Sequence, residues 1–117
     1  MKNFVQPGDV VTLTSPAGGV LSGDPILVGS IFGVAAYDAV AGAEVEVAVV
    51  GVYELPKGAG AILQGASIYF DGDDNVVTGV SAEGLYPVGA ATEAAGADAP
   101  IVRVRLNGVA VAAMPEA

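Results

Sequence analysis

The sequence has no cysteine, no histidine and no tryptophan, and only four basic side chains: Lys2, Lys57, Arg103 and Arg105. Each shortage excludes something. Without cysteine there is no disulfide, and the redox compartment is left open. Without cysteine and histidine, thiol and imidazole catalysis are excluded and the usual zinc ligand sets cannot be assembled. Four scattered cations against 13 acidic residues leave a net charge of −9. No clustered positive field is available to grip a phosphate backbone or an anionic bilayer, so neither nucleic acid nor membrane is expected as a partner. Long apolar runs are missing too. The longest stretch between charges, Val10 to Gly23, is 14 residues and is broken by Thr, Ser, Pro and Gly, whereas a spanning helix needs about 20 apolar residues. The start, MKNFVQPGD, lacks the apolar core of a signal peptide.

What remains is a chain of 117 residues, 53% apolar, with 17 glycines and many alanines and valines. Long helix-forming side chains are scarce, and that balance favours short strands joined by tight turns. Residues 1–9 read as an extended N-terminal arm, because Pro7 and Gly8 oppose helix and Phe4 and Val5 lack periodic company. Residues 10–117 read as a single β domain. VVTLT at 10–14 alternates as a strand does. ILVGSIFGVAA, EVEVAVVGVYEL, ASIYF, NVVTGV and PIVRVRLNGVAV follow between turn clusters such as SPAGG and SGDP. Glu44, Glu46 and Ala48 alternate with Val45, Val47 and Val49, giving one wet and one dry face. Arg103 and Arg105 alternate with Val102, Val104 and Leu106 in the same way. The expected fold is therefore mainly all-β, a small barrel or sandwich of about seven short strands. At most one short helix is expected, in the Ala-rich VAAYDAVAGA at 34–43. Residues 33–52 and 89–109 form a faint repeat, readable as a true repeat or as two similar hairpins drawn from a limited alphabet.

Three stretches invite a chemical reading. GVYELPKGAG at 51–60 approximates a phosphate-binding loop, G-x-x-x-x-G-K-[ST]. Pro56 removes a backbone N–H where the loop needs one, Gly58 offers no hydroxyl for magnesium, and VYEL reads as strand. Nucleotide binding is not expected, and Lys57 reads as a turn cation after a strand. DGDDN at 71–75 places Asp71, Asp73 and Asn75 at the first ligand spacings of a calcium loop. However, Val76 stands where the loop needs Gly, Ala82 where it needs a bidentate Glu, and Glu83 comes one place late. A hairpin turn explains the stretch more simply, and a cation is left open. Glu44 and Glu46 lie about 7 Å apart on one strand face, not far from glycosidase carboxylate separations. No aromatic platform surrounds them, so a solvated face is the simpler reading. Arg103 and Arg105 are candidates to pair with Glu44 and Glu46 across strands or across a subunit boundary. No Gly-x-Ser-x-Gly motif is present, and no enzyme activity, cofactor or metal is expected.

FVQPGD, VTLTSPAG, GDPILVGSIFGVA, GAEVEV, GVYELPK, QGASIYFD and VRVRLNG occur in that order between residues 4 and 108. As an ordered set they resemble a family of small phage proteins. Some members carry the label "predicted phage recombinase, RecA/RadA family", and others are capsid decoration, or cement, proteins. The chemistry favours cement, because a recombinase needs an intact phosphate loop and a DNA-binding surface. The resemblance implies a small β-barrel-like fold, a homo-oligomer (a trimer on local threefold axes) and the major capsid protein as partner. It implies a location on the outer surface of the mature virion head after synthesis in the host cytoplasm. The protein would bridge capsid subunits and stabilise the shell. An arm of Lys2, Asn3, Phe4, Val5, Gln6 and Pro7 is a candidate strap onto a neighbour or the shell, or else a frayed terminus. The alternative function is a virion-displayed adhesion or carbohydrate-binding module, against which the missing tryptophan argues.

Overall fold

A computed structural model of the chain describes residues 8–109 and 111–113. The alternating VVTLT forms β1 (Val10–Thr14). It is followed by β2 (Pro25–Val28), β3 (Ile31–Ala35) and β4 (Glu44–Ala48). These four make one antiparallel sheet in the order β1-β4-β3-β2. A second antiparallel sheet holds β5 (Val50–Pro56), β6 (Ser67–Asp71), β7 (Val76–Thr78), β8 (Tyr86–Ala91) and β9 (Ile101–Asn107), in the order β5-β9-β8-β6-β7. It curls into a half-barrel. A bridge between Lys57 and Val77 brings its two edge strands together, and the Gly58 N–H donates to the Val77 carbonyl at 2.9 Å.

The all-β expectation holds, with nine strands among the described residues instead of about seven. Two apolar runs that read as single strands are each divided. ILVGSIFGVAA turns at Gly29-Ser30, where Gly29 adopts φ 58° and Val28 faces Ile31. A two-residue hairpin with glycine at its first central position has this geometry. EVEVAVVGVYEL breaks at Val49, where the chain passes from the first sheet to the second. β8 was not among the expected strands, and it contains Pro87. That proline lies beside a register shift, Ile68 facing Gly89 while Tyr69 faces Pro87, and outside the β8–β9 ladder. A bulge tolerates a residue that cannot donate. Residues 34–43 form no helix: Val34 and Ala35 finish β3, and Ala39 bridges to Val20.

The faint repeat proves to be the plan of the whole described chain. The β1–β4 pairs, Val10↔Ala48 through Thr14↔Glu44, recur in β5–β9 as Val52↔Arg105 through Pro56↔Ile101. Ile26↔Gly33 recurs as Ile68↔Gly89, and Ala35↔Val47 as Ala91↔Val104. The isolated bridge Val20–Ala39 recurs as Ile62–Ala95. Each repeat is a four-stranded Greek key, β1-β4-β3-β2 and β5-β9-β8-β6. The β7 hairpin is an insertion in the second. Two similar hairpins would account for only part of this correspondence.

The repeats also share a core. Val20, Ile26, Ala35, Val45, Val47 and Val49 pack together in the first. Their counterparts Ile62, Ile68, Ala91, Val102, Val104 and Leu106 pack in the second. The second cluster is larger because Phe70, Val77 and Val88 join it, together with Phe32 and Val34 from β3 of the first repeat. The Phe32 and Phe70 rings meet with centroids 4.8 Å apart and planes tilted by 50°, an arrangement aromatic pairs favour. β3 therefore has two buried faces, with Phe32 and Val34 toward one cluster and Ala35 toward the other.

Close backbone approach fixes a glycine at the same place in each repeat. A Cβ on Gly33 would lie 2.5 Å from the Ala48 carbonyl oxygen, and one on Gly89 would overlap the Arg105 carbonyl. Gly33→Ala and Gly89→Ala are each expected to lower stability by about 1–3 kcal/mol in urea denaturation. Gly96→Ala, with open space around it and no positive φ, should stay within about 0.5 kcal/mol.

Candidate functional site

The phosphate-loop candidate resolves into strand. GVYELP is part of β5, and Lys57 follows it immediately. The surface-turn reading of Lys57 is wrong. The residue is only 8% exposed, and its Nζ donates to the carbonyls of Gly58 at 2.9 Å and Ala97 at 3.1 Å. Pro56 and Gly58 look like turn punctuation in sequence, but here they end a strand against the edge of the curled sheet. The counterpart of Lys57 in the first repeat is Ser15, the only other buried polar side chain among the described residues. The Ser15 N–H donates to Ala43 O as the Lys57 N–H does to Pro100 O. The Ser15 hydroxyl has no partner among the described residues.

DGDDN forms the β6–β7 hairpin loop. Asp71 faces Val76, the Asp73 N–H donates to Asp71 Oδ1 at 3.0 Å, and Asn75 takes φ 56°. Asn and Asp suit such turns because their side chains bond the local backbone and tolerate the left-handed region. Among the described residues no cluster of three acidic side chains is placed to hold a metal ion.

Glu44 and Glu46 lie on β4, in the first sheet, and the Thr12 hydroxyl donates to Glu46 across the β1–β4 ladder. Arg103 and Arg105 lie on the exposed face of β9 in the second sheet. The structure does not bring these two pairs together. Arg103 instead reaches Glu54 on β5 at 3.3 Å and Glu93 at 3.0 Å. The Arg103–Glu54 pair occupies the position that Glu46–Thr12 occupies in the first repeat, so a cross-strand hydroxyl–carboxylate hydrogen bond has an ion-pair counterpart. Lys2, Asn3, Phe4, Val5, Gln6 and Pro7 of the proposed arm lie outside the described residues. Asp9, at its end, is tied to the body through the Val49 N–H, which donates to Asp9 O at 2.9 Å.

Sequence reading missed the exposed apolar turns. Leu21 is 64% exposed, Val40 75% and Leu63 76%. Leu21 and Val40 flank an open cleft of about 660 Å³ that Asp24 and Asp38 also line. Leu21 and Leu63 each begin a tight turn, closed by Asp24 N–H to Leu21 O at 3.0 Å and Ala66 N–H to Leu63 O at 3.1 Å. The signal was present in VLSGDPI and ILQGASI, where a leucine stands inside turn punctuation with no strand to bury it.

The geometry thus defines an all-β protein with acidic and apolar groups on its surface and no concentration of positive charge among the described residues. The family described as phage cement protein matches residues 5–106, and the chain belongs to that family. The match spans both repeats, so the duplication lies within the family's own unit. It falls on the cement side of the two labels rather than the recombinase side. No curated protein and no solved structure matches the chain.

Removing the buried cation and removing the buried hydroxyl should have different consequences. Lys57→Met leaves two carbonyls without a donor and is expected to cost about 1–3 kcal/mol in chemical denaturation. Ser15→Ala removes a hydroxyl without a partner among the described residues and should be neutral or slightly stabilising. Arg103→Ala breaks only exposed ion pairs and should cost less than about 1 kcal/mol.

Proposed function

We propose that this chain decorates the outer surface of a mature phage head, bridging neighbouring major capsid protein subunits and stabilising the shell without catalysis or cofactor. Membership of the phage cement protein family across residues 5–106 carries this reading. The physical logic is multivalent. Packaged DNA pushes shell subunits apart, and a protein that touches more than one subunit adds contact energy outside the shell's own interfaces. A homotrimer multiplies those contacts again. The net charge of −9 favours solubility and a virion exterior.

In this reading residues 1–9 form an arm on a β domain of residues 10–117. Lys2, Asn3, Phe4, Val5, Gln6 and Pro7 contact the shell or a neighbouring copy, since an extended segment adds readily to a sheet edge. Glu44, Glu46 and Arg105 are exposed or half-exposed on strand faces and are available for ion pairs between subunits.

The test is co-sedimentation of the purified protein with expanded heads that lack it, in parallel with unexpanded proheads. Saturable binding to expanded heads, with those heads then resisting heat better, is the expected result. Absence of binding to either form contradicts the proposal.

A further inference from the structure

The two repeats can be compared position by position, and the comparison separates what the fold needs from what it does not. The large side chains of one type kept at equivalent positions are few. Leu13 and Leu55, Ile26 and Ile68, Val45 and Val102, and Val47 and Val104 all belong to the two packed clusters or, for Leu13, pack against one. Val10 and Val52 are strand residues, where a β-branched side chain suits the backbone even when exposed. Leu21 and Leu63 are different. They lie on turns, 64% and 76% exposed, where leucine neither packs nor assists the backbone.

The turns that present them are also built alike. Gly23 and Gly65 take φ of 89° and 84° at equivalent positions, which suits glycine two residues into a type II turn. Gly18 and Gly60, just before the turns, take φ of 89° and 98°. The Ser22 hydroxyl donates to Ala36 O at 3.3 Å, and the Gln64 amide donates to the counterpart carbonyl, Thr92 O, at 3.2 Å. The residue type changed while the bond that braces the turn stayed. Around the leucines the charges are not shared: Asp24 and Asp38 flank the first, and Ala66 and Ala94 stand at the equivalent places in the second. What the two turns have in common is therefore apolar.

We infer that Leu21 and Leu63 are a matched pair of anchors, each entering an apolar depression on one of two neighbouring copies of the major capsid protein. A contact device built twice into one chain fits a target that is itself repeated, and a shell of identical subunits is such a target. This inference rests on the cement reading above. It deepens that reading by making a single chain bivalent.

The experiment measures binding of the full chain to expanded, undecorated heads for the unaltered protein, L21S, L63S and L21S/L63S. V52T serves as an exposed apolar control, and L21Q/L63Q as a second pair that keeps side-chain length. Thermal unfolding of each variant should match the unaltered protein. Each single substitution is expected to weaken binding about tenfold or more, and the double substitution about a hundredfold or more, with V52T unchanged. If the unaltered protein binds heads and both double variants bind equally well, the inference is overturned and the cement reading survives. An effect from one leucine alone also overturns it, because the pair is the claim. So does loss of self-association with head binding intact, which assigns the leucines to contacts between copies. Failure of the unaltered protein to bind heads overturns the cement reading and this inference together.

Discussion

From Phe32 to Ala35, strand β3 is buried on both faces, and the arrangement of the two sheets depends on that. Phe32 and Val34 point into the cluster of the second repeat, while Ala35 points into the cluster of the first. One strand is thus a wall shared by two cores. Within its sheet, Gly33 lets the β4 backbone approach more closely than any Cβ allows, as Gly89 does for β9 in the second repeat. The aromatic contact between Phe32 and Phe70 then joins the repeats.

The duplication shows which features the backbone dictates. Register, Greek-key order, turn glycines and the valine core are common to both repeats. Polar detail has diverged around them, with Thr12–Glu46 against Glu54–Arg103, and Ser15 against Lys57. The β7 hairpin has no counterpart in the first repeat and brings Val77 into the larger core. The first repeat has the smaller cluster and borrows stability through β3. The result is a rigid frame that presents two similar turns.

Much of this was legible in sequence where alternation was clean. β1, β4 and β9 carry period-two patterns, and their wet and dry faces fall as the residues imply. Legibility failed where a local signal had two meanings. Gly29-Ser30 reads as flexible sequence inside a strand but is a hairpin turn. Pro87 argues against a strand but sits at a bulge. Lys57, between Pro56 and Gly58, looks like a surface cation but is buried, its Nζ donating to the Ala97 carbonyl of the loop between β8 and β9. The repeat was visible only where alanine and valine runs coincide, because elsewhere equivalent positions hold different side chains on the same backbone. Leu21 and Leu63 passed unnoticed because a lone exposed leucine carries no weight until a second one is found at the same place in a copy of the fold.

The functional account joins a family of structural phage proteins to a frame with two matched turns. Its most direct test is a cryo-EM reconstruction of expanded heads saturated with this protein. The account predicts added density on the outer surface, grouped in threes, with the turns at residues 20–24 and 62–66 seated on neighbouring shell subunits. Heads without added density, or copies bound to the inner surface, would contradict it.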